Sequence, residues 1–214
     1  MRQPHWMEKV RALAGGDPEM ARTHDPSMFD EHVGFAAGIA ALARCGARTA
    51  DLILHERVHE PVGNIGHEVR WADGTTSTVY RETTVDRAPA EPCTLVVRFR
   101  LRGVHRPWLH ALFRLESELN TVLFAGFPGF VSKLWFAADE DGVYRGVYDW
   151  DGVESAHAYV RALWWALMVV SVRSSIEHVV MPGVGRDELL RDPAMASANA
   201  AWCRPIEVIP EPAT

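Results

Sequence analysis

The sequence predicts an α+β protein whose second half holds a four-stranded antiparallel sheet with two helices on one face. Two strand-helix-strand units follow one another between Cys93 and Gly183, and Gly and Pro residues punctuate their ends. Two consecutive units of this kind close one sheet and leave its other face without helices. We therefore expect that second face to be covered by another segment of the chain or by a second copy of it.

The first unit is predicted to run as strand, helix and strand. Apolar and polar side chains alternate over residues 95–101, which is typical of a strand with one buried face, and Arg98 and Arg100 occupy its other face. Pro107 suits the opening turn of a helix, and apolar residues then recur at helical spacing. Residues 130–137 are predicted to form the second strand.

The second unit repeats this order. Residues 139–142, Asp-Glu-Asp-Gly, predict a hairpin turn that leads into a strand at residues 143–150. Asp151 is followed three residues later by a glutamate, the spacing of a capping box for a helix at residues 153–170. The final strand, residues 176–181, ends at a Pro-Gly pair.

The first 90 residues follow a different order, which we interpret as an N-terminal helix and β-hairpin extension. A short helix is predicted at residues 6–13, and a longer one at residues 28–43 that Gly46 ends. The remainder is predicted to be extended in three segments, residues 51–60, 66–71 and 76–85. An Asp-Gly pair turns the last two segments into a hairpin.

A weak internal similarity connects the two halves. Trp-Ala-Asp-Gly at residues 71–74 and Val-Tyr-Arg at 79–81 echo Trp-Phe-Ala at 135–137 and Gly-Val-Tyr-Arg at 142–145. Either two hairpins use the same turn chemistry, or the extension is a diverged repeat whose strands help to cover the open sheet. The predicted domains are the extension at 1–90, the sheet unit at 91–183 and a C-terminal tail at 184–214.

Composition excludes several classes of protein. With 214 residues, 48% hydrophobic and 23% charged, the chain is typical of a folded globular protein. A net charge of −6 argues against nucleic acid as a partner. The longest apolar run, residues 162–170, is shorter than the ~20 residues that cross a bilayer, and no signal peptide is recognisable. Three widely spaced cysteines predict no disulfide framework, so we expect a cytoplasmic protein without membrane contact.

Three motifs resemble those of the YdhR-like monooxygenases, which belong to the dimeric α+β barrel superfamily. They are Phe127-Pro-Gly-Phe-Val-Ser-Lys-Leu-Trp, Tyr144-Arg-Gly-Val-Tyr-Asp-Trp and Ala156-His-Ala-Tyr. The resemblance covers residues 93–183. It implies a ferredoxin-like unit, a homodimer formed by face-to-face pairing of two sheets, and a small-molecule pocket between sheet and helices. Because the superfamily contains oxygenases, haem-degrading enzymes, isomerases and cyclases, the resemblance does not by itself transfer an activity.

A pocket of this type needs a base, apolar walls and a donor for a developing anion. Histidine suits the first role because its pKa lies near neutrality, and aromatic rings suit the second. The candidate catalytic residues are His105, His110, His178 and Lys133. The candidate substrate-binding residues are Trp108, Trp135, Tyr144, Tyr148, Trp150, Arg98 and Arg100. Each also has a structural interpretation. The histidines are then ordinary surface or hydrogen-bonded residues, the aromatic residues core or dimer contacts, the arginines a solvated or interface face, and Lys133 a cross-strand partner of Asp149.

These residues favour an enzyme acting on a small apolar aromatic or polyketide-like substrate, with a cofactor-independent monooxygenase as the leading hypothesis. A cyclase, isomerase or dehydratase that works by proton transfer in the same pocket is the first alternative. A binding protein for a hydrophobic ligand is the second. No phosphate-binding loop or dinucleotide fingerprint occurs in the sequence, so we expect no cofactor.

A zinc hydrolase is a further alternative, because residues 55–59 match the pattern HExxH. On a helix, His55 and His59 would bind zinc and Glu56 would act as the base, with His67 or Glu60 as a third ligand. A proline two residues after His59 disfavours a continuing helix. On a strand the two imidazoles would lie roughly 13 Å apart, too far for one metal.

Overall fold

A computed structural model of the chain describes residues 35–102, 124–195 and 200–211. In these ranges the helices are α1 (Phe35–Leu54), α2 (Val153–Val170) and α3 (Arg186–Arg191). The strands are β1 (Val58–His59), β2 (Glu68–Trp71), β3 (Thr76–Val85), β4 (Pro92–Arg100), β5 (Phe130–Phe136), β6 (Val143–Asp151), β7 (Glu177–Pro182) and β8 (Pro205–Ile209). The helices predicted at residues 6–13 and after Pro107 lie outside the described residues.

One antiparallel sheet connects the strands in the order β7-β4-β6-β5-β3-β2-β8, and β1 pairs separately with β3. Its first four members follow the ferredoxin-like order, in which the first strand of the unit lies between the third and the last. The predicted fold class, α+β with a ferredoxin-like antiparallel sheet, is therefore confirmed.

The sheet continues beyond β5 with strands from both ends of the chain. β3 pairs with β5, β2 pairs with β3, and β8 pairs with β2. The hairpin predicted at residues 66–85 is confirmed, and Gly74 has a φ of 91° in its turn. Strands from the predicted N-terminal extension, the predicted sheet unit and the predicted C-terminal tail thus share one sheet. The boundaries between these three domains remain an interpretation.

The face of the sheet opposite α2 is covered by the chain itself. Side chains from both edges of the sheet share one core there, so the sheet curls around them. This core comprises Val69, Trp71, Val79, Val96, Leu134, Phe136, Val147, Met181, Val184, Leu189, Trp202 and Cys203. The homodimer implied by the resemblance stays a prediction.

A buried arginine fastens the added strands to the ferredoxin-like unit. Arg145 on β6 donates to Asp139 in the β5–β6 turn and, at 2.8 Å, to Asp73 in the β2–β3 turn. Its Nε also donates to the carbonyl of Trp202 at 3.2 Å. Because the Arg145 side chain is 1% exposed, these partners are required to satisfy its buried charge.

The longer N-terminal helix differs from its predicted bounds. α1 continues past Gly46 to Leu54, so the predicted extension of residues 51–60 is wrong for its first part. The buried Thr49 hydroxyl donates to the Cys45 carbonyl at 3.0 Å and accepts from the Gly126 N–H at 2.8 Å. Such tertiary contacts outweigh the ~1 kcal/mol that a glycine costs in a helix.

The capping box predicted at Asp151 is also wrong. α2 begins after Gly152, whose φ is 88°, and no side chain caps it. The Asp151 carboxylate instead accepts from the N–H groups of Ala90 and Glu91, at 2.8 and 3.0 Å. It therefore secures the start of β4 against the end of β6.

We predict that Arg145→Met lowers the free energy of unfolding by about 3–5 kcal/mol, because it leaves a buried carboxylate without its partner. The matched control is Arg70→Met. Arg70 pairs with Glu207 on neighbouring strands, but its side chain is 54% exposed, so we expect a loss of about 1 kcal/mol or less. Urea unfolding measures both changes. Equal losses of stability in the two variants would contradict the role of Arg145 in holding the added strands to the ferredoxin-like unit.

Candidate functional site

The two faces of β5 carry different chemistry. Leu134 pairs across the sheet with Val147 and belongs to the apolar core opposite α2. Lys133 pairs with Tyr148 and therefore points to the other face, where Tyr159 of α2 contacts the Tyr148 ring at 5.5 Å. The pairing of Lys133 with Asp149 considered from the sequence is wrong, because Asp149 lies opposite Ser132.

Three aromatic rings surround the Lys133 amine, and we call them the aromatic cage. The Nζ atom lies 2.9 Å from the ring centroid of Trp135, 4.6 Å from that of Tyr148 and 4.8 Å from that of Phe124. Lys133 is 6% exposed. In the described part of the chain, no carboxylate forms an ion pair with it.

Burial lowers the pKa of the Lys133 amine well below its ordinary value of 10.5. The positive charge of Arg81 lowers it further. Arg81 lies beside the same indole, with its guanidinium carbon 5.6 Å from the Trp135 ring centroid, and pairs with Glu60. The lowered pKa increases the neutral fraction of the amine at a given pH, and a neutral amine can accept a proton or attack an electrophile.

A second group of aromatic residues extends the cage towards α2. The Tyr159 ring lies 4.9 Å from the Trp150 ring, and its hydroxyl lies 3.4 Å from that of Tyr148. Burial raises the pKa of both phenols, so each hydroxyl keeps its proton at neutral pH. The site thus combines an amine favoured in its neutral form with two protonated hydroxyl groups.

Four of the predicted site residues lie together. Lys133 and Trp135 are on β5, and Tyr148 and Trp150 are neighbours on the same face of β6, with ring centroids 6.5 Å apart. Tyr144 is on that face as well, but it stacks on Phe99 at 5.8 Å, away from the amine.

The predicted histidines do not join this group within the described residues. His105, Trp108 and His110 lie outside them. His178 is on β7, opposite Val97 of β4, and two strands separate it from β5.

The structure separates Arg98 and Arg100 from the aromatic cage. Arg98 pairs across the sheet with Arg145, which puts it on the face opposite Lys133. Both Arg98 and Arg100 line a polar cavity of about 300 Å³ at one end of the curled sheet. Arg98 is paired there with Glu177 at 2.8 Å, so we assign these arginines no contact with the amine site.

A second cavity, of about 270 Å³, also lies on the face opposite α2. Val69, Val79 and Leu134 form its apolar floor, and Asn64 and His67 are among its polar residues. Lys133 lines neither this cavity nor the polar one.

The HExxH pattern does not form a zinc site of the helical kind. α1 ends at Leu54, Glu56 has a φ of 54°, and His59 belongs to β1. The His59 imidazole contacts Asp86 at 2.7 Å, and His55 contacts the Asp51 carbonyl at 2.8 Å. Over the described ranges, no group of three His, Cys, Asp or Glu side chains has metal-binding geometry.

Sequence reasoning missed three residues of the site: Phe124, Tyr159 and Arg81. Tyr159 could have been found, since Ala156, Tyr159 and Ala162 recur at helical spacing and are all buried. Phe124 approaches the amine from a turn, and Arg81 approaches it from β3. These contacts join distant parts of the sequence, so local residue spacing does not predict them.

No family model matches the sequence, and no curated protein is similar to it. Among solved structures, the chain is similar to an uncharacterised ferredoxin-fold protein from Listeria monocytogenes that is related to antibiotic biosynthesis monooxygenases. The two share 13% identity with a TM-score of 0.38, and the match covers 52% of this chain and 66% of that one. It is also similar to an anthrone oxidase-like protein, with 14% identity and a TM-score of 0.36, over 51% and 54% of the two chains. Neither match is specific to the YdhR-like proteins.

Among the described residues, no helix is both long enough and apolar enough to cross a bilayer.

We predict that Lys133→Met is more stable than the wild type at pH 7. An unfolded chain protonates Lys133 below pH 10.5, whereas the folded protein releases that proton at a lower pH. Between these two pKa values the unfolded state binds more protons, so wild-type stability rises with pH, by at most ~1.4 kcal/mol per unit.

The stability difference between Lys133→Met and wild type should therefore be constant below the folded pKa and shrink as the pH approaches 10.5. Urea unfolding from pH 6 to 10.5 measures it, with Lys9→Met as the control for loss of a lysine. A difference that does not change over this range would contradict a depressed pKa.

Proposed function

We propose that the protein is an enzyme that removes a proton from a small, apolar, aromatic substrate, with the Lys133 amine as the base. The observation that supports this most directly is a buried amine held by three aromatic rings without a carboxylate partner among the described residues. An amine with a lowered pKa is neutral over a wider range of pH and can then accept a proton, and the rings offer flat apolar surfaces to a substrate ring.

The leading form of this proposal is a cofactor-independent monooxygenase. Anthrone is a suitable probe because it is apolar and its methylene protons are acidic. Lys133 takes one of these protons, the resulting carbanion transfers electrons to O₂, one oxygen atom enters the substrate and the other leaves as water. Anthrone and O₂ thus give anthraquinone and water, and the protein supplies a base and an apolar enclosure.

The tyrosine pair favours a second candidate, a non-oxidative isomerase, cyclase or dehydratase. The hydroxyls of Tyr148 and Tyr159, 3.4 Å apart and both protonated, could return a proton to a different atom of the substrate. Product mass distinguishes the two candidates, because proton transfer alone adds no oxygen atom.

We predict that Lys133→Met and Lys133→Arg each lower the turnover of anthrone by about a hundredfold to ten-thousandfold, the usual contribution of a general base. Arginine keeps the positive charge but does not release its proton, so it separates the role of the base from that of the charge.

Oxygen uptake without added flavin or metal measures this, and Arg70→Met, on the exposed surface of β2, should retain wild-type turnover. Turnover by Lys133→Arg at the wild-type rate would contradict Lys133 as the base.

A further inference from the structure

The chain contains far fewer lysines than arginines. The sequence contains two lysines, Lys9 and Lys133, against twenty arginines. Where the interior needs a fixed positive charge, the chain uses arginine: Arg145 and Arg186 are both buried, and both are paired with carboxylates. Lys133 is equally buried, but among the described residues its amine is surrounded by aromatic rings and has no carboxylate paired with it. A buried position that needed only a cation would be served by arginine, whereas an amine that loses its proton can also be a nucleophile.

We propose that Lys133 condenses with the carbonyl group of an apolar aromatic aldehyde or ketone to form an imine. This rests on the proposed function in so far as Lys133 is the reactive group of a small-molecule site. It adds a substrate class, carbonyl compounds, and a covalent step to that proposal.

The condensation is balanced without an oxidant or reductant. The nitrogen lone pair of Lys133 attacks the carbonyl carbon, the two N–H protons of the neutral amine pass to the carbonyl oxygen, and that oxygen leaves as water when its bond to carbon breaks. The C=N bond that replaces C=O is reversible by hydrolysis. Once protonated, the imine withdraws electrons from the neighbouring carbon and makes its C–H bond easier to break.

The aromatic cage suits each stage of this step. Its rings exclude water from the nitrogen, which protects an imine from hydrolysis. The same rings, with centroids 2.9 to 4.8 Å from Nζ, offer cation–π contacts that offset part of the desolvation cost of a protonated imine. The ring of Tyr148 belongs to the cage, and its hydroxyl next to Tyr159 is a proton donor for the departing oxygen.

Trapping by reduction tests the proposal. The full chain is incubated at pH 7 with 2-naphthaldehyde and sodium cyanoborohydride, and the labelled positions are found by peptide mass mapping. Three amines are available: the N-terminus, Lys9 and Lys133. We expect Lys133 to be labelled about tenfold faster than Lys9 or more, because each unit of pKa depression raises the neutral fraction of the amine tenfold.

The controls separate a specific site from general amine reactivity. Lys133→Arg should lose the fast label and Lys9→Arg should keep it. The charged aldehyde glyoxylate should lose the preference for Lys133, because the aromatic cage would exclude a carboxylate. Label at Lys9 equal to or faster than at Lys133 in the wild type overturns the proposal, and this result does not depend on any variant folding.

The outcome is distinguishable from failure of the proposed function. If anthrone turnover depends on Lys133 but no naphthyl adduct forms there, the amine acts as a base and the imine proposal is overturned. If Lys133 is labelled but anthrone is not consumed, the imine proposal is supported and the oxygenase is contradicted.

Discussion

The register between β5 and β6 determines the chemistry of both faces of the sheet. Ser132 lies opposite Asp149 and Lys133 lies opposite Tyr148, so a slip of one residue would turn the amine away from the Tyr148 ring. An irregularity in the register between Phe130 and Ser132 lets Phe130 and Lys133 reach the same group of aromatic side chains although they are three positions apart. The aromatic cage therefore depends on backbone hydrogen bonds as much as on the side chains that form it.

Two opposing effects act on the protonation of the Lys133 amine. Removing an ammonium group from water costs several kcal/mol, whereas a desolvated cation–π contact returns about 2 kcal/mol. Three rings contact the amine, but burial still lowers its pKa, so the cation–π contacts offset only part of the desolvation cost. Arg145 shows the other solution on the opposite face, where Asp139 and Asp73 supply negative charge beside the buried guanidinium. The same sheet thus holds one cation for structure and one amine for chemistry.

The strands that bear the site were predictable because their signals are local. Alternation predicted β4, and the turn ending at Gly142 predicted β5 and β6 as a hairpin with antiparallel strands. Lys133 and Trp135 were both candidates from the sequence, and their i, i+2 spacing on β5 places them on one face of the sheet. Arg98 was grouped with them from its residue type, but cross-strand pairing decides its face, and that pairing is not local. Likewise α1 passes Gly46 because of contacts with the turn at Gly126, which lies far away in the sequence.

The most direct test of the central claim is a titration of the lysine amines by NMR. The chain labelled with ¹³C at the lysine Cε should show two resonances, since the sequence contains two lysines. We predict that one of them titrates well below 10.5 and is absent from Lys133→Arg. If both resonances titrate near 10.5, the amine is charged at neutral pH, and neither a base nor a nucleophile resides in the aromatic cage.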